Sequence, residues 1–372
     1  MTVRRPQIKI LPFSVIHTDN SFMSSLSAVS SIRSRPVLHY CLTFCKALIR
    51  LLFILAAVAI LVFFILRLLP VDAAAMLLPP NGSADELQRL RAALGLDQPL
   101  LQQFLIWLKN LLHGNAGLSI RSGEEVSTLI LSALPVTLQL VTLAILIGAG
   151  AGFISGVLAF RYRFTPVRNS LEVTNAMALS VPEFLWGILL MLVFGIGLRV
   201  SPFFGEVDPR LMVEQQTGFL LIDTLLSGNP AAFLNVLSHY LLPSLALALA
   251  IAPTLMRILY SSLNQIYASE YMRSARLRGL PERRLLLVHA LRNAVLPALN
   301  LMSVQAGMLI GGTLLIEKIY GLQGIGSLMI DAINNQDLPV IQAVALVYAI
   351  CVLMINQATE WLQHVLDPRA GV

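Results

Sequence analysis

Apolar residues dominate six stretches of this chain, and polar or charged segments of very unequal length separate them. The stretches run about 47–69, 134–160, 182–200, 241–263, 295–316 and 340–361. A run near twenty apolar residues is what carries an α-helix across the ~30 Å hydrocarbon core of a bilayer. None of the six shows the strict alternation that strands of a membrane barrel need. The predicted fold class is therefore all-α, a polytopic membrane protein with six transmembrane helices. In the second stretch Gly148, Gly152 and Gly156 recur at every fourth position, which predicts a helix face packed closely on a neighbour. The fourth contains Pro243 and Pro253, which are expected to break it.

The segments between these stretches sort by charge. Residues 1–45 are Ser-rich and basic and read as a flexible cytoplasmic tail, 46–366 as the transmembrane domain, and 367–372 as a cytoplasmic end. Segments 70–133, 201–240 and 317–339 are expected on the extracytoplasmic side. In the second of these, Glu206, Asp208, Glu214 and Asp223 face Arg210 alone. Within 70–133, Asp85–Leu94 has helical periodicity ending at Gly95, and Leu100–Leu112 is an amphipathic helix bearing Trp107. Segment 264–294 is crowded with Arg273, Arg276, Arg278, Arg283, Arg284 and Arg292 and belongs inside, as do both termini.

In that basic segment Glu270–Gly279 reads as a short helix. Ala268, Met272, Ala275 and Gly279 fall on one small, flat face, while Glu270, Arg273 and Arg276 point elsewhere. Gly279 fits a left-handed helix stop, and Pro281 fits the first turn of the next helix. Two readings stand side by side. The helix docks into a groove on another protein, or the basic loop only sets topology.

Composition narrows the classes. Of 372 residues 56% are hydrophobic and 12% charged, against about 25% charged in soluble domains, and mean hydropathy is +0.76. The net charge of +6 is met by basic inside loops rather than by nucleic acid. Cys41, Cys45 and Cys351 do not gather a full set of metal ligands, so neither metal nor disulfide is expected. No GxxxxGK[ST] loop is present, so this chain does not hydrolyse ATP in the P-loop manner. Asp is absent from all six stretches, and the acids there lie at their edges, which argues against an intramembrane enzyme. Glu183, near the start of the third stretch, is the intramembrane acid of most interest. The largely uncharged midplanes also count against a secondary transporter or channel without ATPase partners, which stays as the alternative.

RSARLRG (Arg273–Gly279) is followed by Gly279-Leu280, Arg283-Arg284, HALRNA (His289–Ala294) and Leu296-Pro297. This resembles the cytoplasmic EAA loop of ABC importer permeases, closest to the dipeptide/oligopeptide/nickel permease family. LGLDQPLLQQFLIWLKNLLHGNAGLSI and IYGLQGIGSLMIDAINNQDLP resemble further segments of that family. Arg273 occupies the generic EAA glutamate position, Asn115 and Gln336 replace a usual aspartate and arginine, and Val71-Asp72-Ala73 replaces Gly-Asp-Pro. The resemblance covers about residues 47–369. It implies a permease of an ATP-driven importer in a bacterial plasma (inner) membrane, forming the path for di- or oligopeptides or a related small solute. Its implied partners are a second homologous permease, two ATP-binding cassette subunits, an extracytoplasmic solute-binding protein and membrane lipid. No cofactor and no nucleic acid are implied. Glu270, Met272, Arg273, Ala275, Arg276, Gly279 and Leu280 would form the ATPase-coupling helix and loop. Asp97, Trp107, Asp223 and Asp337 would face the binding protein.

Overall fold

The computed structural model describes residues 35–68, 83–93, 95–211 and 213–366. Residues 1–34 of the expected tail, the Val71-Asp72-Ala73 turn and the end 367–372 lie outside the described residues. The chain divides into two units, 1–53 and 54–372. In the first, the described residues belong to helix α1 (Arg35–Leu68), and Leu48, Ile49, Leu52 and Phe53 are exposed along it.

The second unit continues α1 and adds α2 (Ala84–Ala93), α3 (Leu100–Leu112), α4 (Val126–Arg161), α5 (Pro166–Ser180) and α6 (Glu183–Leu190). It goes on through α7 (Leu220–Leu226), α8 (Pro230–Tyr267), α9 (Glu270–Leu277), α10 (Glu282–Tyr320), α11 (Ile325–Asn334) and α12 (Leu338–Leu366). Local chemistry sets several starts. Ser83 and Glu86 exchange side-chain and backbone bonds in a capping box that opens α2. The Asn229 side chain accepts from the Ala232 N–H at 3.1 Å to cap α8, whose first residue is proline.

Among the described residues five helices are long and apolar enough to cross a membrane. A sixth crossing arises if α5 and α6 count as one span, for the two are bent by 101° at their junction. The apolar stretch 182–200 thus supplies α6, a π-helical turn over Met191–Gly197, and a non-helical end. The other helices are longer than their apolar stretches, because polar flanks continue the hydrogen-bond ladder past the hydrocarbon-like residues. α8 starts at Pro230, and α10 carries helix back to Glu282, well inside the basic segment 264–294. Pro243 and Pro253 do not interrupt α8, contrary to the expectation from sequence. Both are buried among neighbouring helices, the setting in which proline inside a span is tolerated.

α4 and α8 form the spine. The glycine row of α4 faces α8, and a Cβ on Gly152 would lie 2.7 Å from the Ala252 carbonyl and 2.8 Å from Leu255 Cβ. Only a residue without a side chain allows this approach, so the row is a packing device. Leu140, Leu247, Ile251, Ile316 and Tyr320 fill the core between α4, α8 and α10.

Candidate functional site

Two clusters of functional residues lie at opposite ends of this spine. At the arginine-rich end, α9 lies across the termini of α4, α8 and α10. Met272 (0% exposed) and Ala275 pack into an apolar cluster with Phe160, Leu259, Leu263, Tyr267, Leu285 and Ala290. Their neighbours Glu270, Arg273 and Arg276 are exposed, and Leu277 is 83% exposed. Of the small face read from the sequence as a docking surface, Met272 and Ala275 are therefore turned inward onto the chain itself, while Ala268 and Gly279 stay exposed. An apolar pair on a helix of eight residues is drawn first to the nearest uncovered core. The outward surface is made by Tyr271, Arg273, Ser274, Leu277 and Arg278.

Three contacts lock α9 in place. The Tyr271 hydroxyl donates to the His289 carbonyl at 2.7 Å, reaching the π-helical turn Leu285–Ala290 of α10. The Arg276 guanidinium lies 5.0 Å from the centre of the Tyr267 ring and donates to the Tyr267 carbonyl at 3.3 Å. Arg163, just beyond α4, lies 5.8 Å from the same ring and 4.5 Å from that of Phe160. Tyr267 thus joins α9 to the end of α4 through two cations. Gly279 follows the helix at φ +73°, the left-handed stop expected, with open space around its Cα. Leu280 is half-buried against the same cluster.

The opposite end is built from carboxylates. Glu317, in the last turn of α10, is 0% exposed. It accepts from the Thr137 hydroxyl of α4 at 2.7 Å and from the Ser327 N–H of α11 at 2.9 Å. Thr137 in turn accepts from the Ile325 N–H at 2.8 Å. Side chains of two other helices therefore satisfy N–H groups in the first turn of α11, which would otherwise be bare. Asp337, at 3% exposed, accepts from the Ser119 hydroxyl at 2.5 Å and ties the start of α12 to the turn before α4.

Two further acids line this end. Asp223, at 2% exposed, accepts from the Thr217 N–H at 2.9 Å and its hydroxyl at 2.6 Å. Burial alone would raise its pKa, but these bonds outweigh burial and hold it below the usual carboxylate range. Glu206 accepts from the Gln323 N–H at 3.0 Å. Burial pushes its pKa up, and the Gln323 bond and the nearby Tyr240 hydroxyl offset only part of that.

Asp223 and Asp337, expected from the sequence to face a binding protein, are instead inward and bonded to their own chain. Asp97 is exposed in the turn between α2 and α3. Trp107 is half-buried, its ring 5.5 Å from Phe63 and 5.9 Å from Phe104. Sequence reading missed Glu317, Thr137 and Tyr267. Glu317 falls one residue beyond the apolar stretch 295–316 and so reads as a loop acid.

Sequence comparison gives this polytopic helical bundle, with a short basic helix packed at one end, its class. Residues 144–372 match the family described as binding-protein-dependent transport system inner membrane component, and residues 40–141 match its N-terminal part. The di/tripeptide transport system permease protein DppB of Pseudomonas aeruginosa (strain UCBPP-PA14) is 35% identical over 84% of this chain and 93% of that protein. The dipeptide transport system permease protein DppB of Escherichia coli (strain K12) is 30% identical over the same shares. The glutathione transport system permease protein GsiC of Escherichia coli O6:H1 is 32% identical over 87% of this chain and 96% of that one. A chain of the MetNI methionine ABC transporter superposes with a TM-score of 0.49 at 15% identity, covering 64% of this chain and 96% of that one, too slight a likeness to carry weight. The chain belongs to the family of binding-protein-dependent transport system inner membrane components, the permease subunits of ABC importers. It is a multi-pass integral protein of the bacterial inner membrane.

Proposed function

We propose that this permease carries peptides or a closely related small solute. In this reading it pairs with a second homologous permease, draws on two separate ATPase subunits, and receives solute from an extracytoplasmic binding protein. The peptide assignment is supported by the transport functions for which its relatives are named. It has six spans with both termini in the cytoplasm, α5 and α6 together making the third. The arginine-rich end then faces the cytoplasm and the carboxylate end faces outward, as the charge asymmetry favours.

α9 is the coupling helix. The observation that carries this is its two-sidedness: Met272 and Ala275 fix it to the bundle, while Leu277 stands out at its tip. ATP-driven closure of the ATPase pair moves α9 as a rigid lever, and Tyr267 and α10 pass that motion to the bundle. Asp97 and Trp107 lie in the segment that receives the binding protein.

Gly279→Val and Leu277→Asp test the coupling role. Valine at φ +73° costs about 1–2 kcal/mol of backbone strain, and aspartate places a charge on the docking tip. Both variants should insert normally yet lose co-purification with the ATPase subunits and solute-stimulated ATP hydrolysis. Retention of both activities at the unsubstituted level would reduce the basic segment to a topology signal.

A further inference from the structure

Among the described residues the junction of α5 and α6 is the one place where a span is broken, and it holds an acid. Glu183 is the first residue of α6. Its Oε1 lies 2.7 Å from where a Cβ on Gly312 of α10 would stand, and Leu247 Cδ2 lies 3.8 Å from the same point. Leu247 is fully buried and sits midway along α8, between Pro230 and Tyr267. The Glu183 carboxylate is therefore set against α10 and α8, within the apolar stretches 241–263 and 295–316, rather than in a loop.

There it is half-buried, with no hydrogen bond or ion pair to any described residue. A charge placed in a span without a partner costs several kcal/mol unless water or a counter-ion reaches it. The positive end of α6 offsets part of that cost but supplies no bond to the side chain. Across from it Gly312 presents no side chain, and at the preceding position of α10 a Cβ on Gly311 would meet nothing within 4 Å. One turn from Leu247 on α8, Ser244 is fully buried and its hydroxyl has no partner. A broken helix, an unpaired charge and a facing glycine at one junction are features of a solute path.

We infer that Glu183 is a cation subsite of the translocation path and takes the ammonium group of the solute. A metal ion fits poorly, because no cluster of three or more His, Cys, Asp or Glu side chains exists among the described residues. An ammonium brings its own donors and needs only one carboxylate and neutral acceptors beside it. The inference rests on the peptide-permease reading, since a peptide carries such a group at its N-terminus.

The test uses the complete complex in proteoliposomes, with permease pair, ATPase subunits and binding protein. Glycyl-leucine and its desamino analogue are supplied, each rate normalised to solute loaded on the binding protein. The unsubstituted complex should move glycyl-leucine about tenfold faster, the scale of one charge-assisted hydrogen bond. Glu183→Gln should erase that preference by slowing glycyl-leucine alone, and Glu183→Asp should largely restore it. Equal rates for Glu183→Gln and the unsubstituted complex, or equal slowing of both solutes, would overturn the cation subsite. Collapse of uptake on adding a proton ionophore would do the same, by making Glu183 a proton carrier. Failure of the unsubstituted complex to move either solute would instead sink the peptide reading beneath it.

Discussion

At the arginine-rich end α9 is held by apolar side chains and by cations over a tyrosine ring; at the other end α11 is held by a buried carboxylate and a threonine. Both are short helices laid against the same spine, and both are anchored by side chains from other elements. Apolar contact is non-directional, and the two hydrogen bonds of α9 run to α10 and α8, so α9 and the ends of those helices can shift together and keep most of their stabilisation. The Glu317 bonds are directional and weaken steeply off-axis, so α11 keeps its register or loses its cap. One end is suited to transmitting motion and the other to holding shape.

The largest expected effect strikes the directional end. Glu317→Ala removes the acceptor for the Thr137 hydroxyl and the Ser327 N–H inside a dry cluster. Each donor left bare costs ~1–3 kcal/mol. The purified protein should melt measurably lower, and amide exchange should rise across Ile325–Asn334 while Glu270–Leu277 stays protected. Glu317→Gln, which keeps one acceptor, should lose less. Equal exchange at both ends in the alanine variant would erase the contrast.

A smaller effect is expected at the mobile end, and of a different kind. Tyr267→Leu removes the ring shared by Arg163 and Arg276, each contact worth ~0.5–2 kcal/mol. Solute moved per ATP hydrolysed should fall, while binding of the ATPase subunits persists, because Leu277 and Arg278 are untouched. Tyr267→Phe keeps the ring and should behave almost as the unsubstituted protein. A leucine variant with normal stoichiometry of transport would remove Tyr267 from the coupling route.

These differences also explain what was legible in the sequence. Periodicity and turn chemistry are local, so α3, the glycine row and the left-handed Gly279 could be read directly. Burial depends on what else arrives, and there the reading failed in a consistent way. Met272 and Ala275 form a small face whichever partner covers it, and only the fold shows that the cover is Phe160, Leu263 and Leu285. Asp337 and Glu317 look like solvated loop acids because their partners Ser119 and Thr137 are remote in sequence, and Asp223 because no periodicity announces that the loop at Thr217 folds back onto it. The approach of Glu183 to Gly312 of α10 was hidden for the same reason, since it lies at a 101° bend that no apolar pattern encodes.

The smallest effect sharpens the picture of the carboxylate end, through pH. Glu206 is half-buried and Asp223 buried there, and their pKa values move in opposite directions. For Glu206 the folded value lies above the unfolded one, so the folded state carries the cost of a buried charge at neutral pH. That penalty fades as pH falls through the raised value toward the unfolded one, and stability rises. For Asp223 the folded value lies below the unfolded one, so its contribution is complete above the ordinary aspartate range. It is lost as pH falls through that range to the depressed value, and stability drops. Acidification should therefore first stabilise and then destabilise the protein, because the proton count of the folded state exceeds that of the unfolded state in the first window and falls short of it in the second. Melting temperature followed from neutral pH downward checks this, with Glu206→Gln flattening the rise and Asp223→Asn flattening the fall. A monotonic profile in the unsubstituted protein would mean that these two acids do not experience the opposed surroundings described for them.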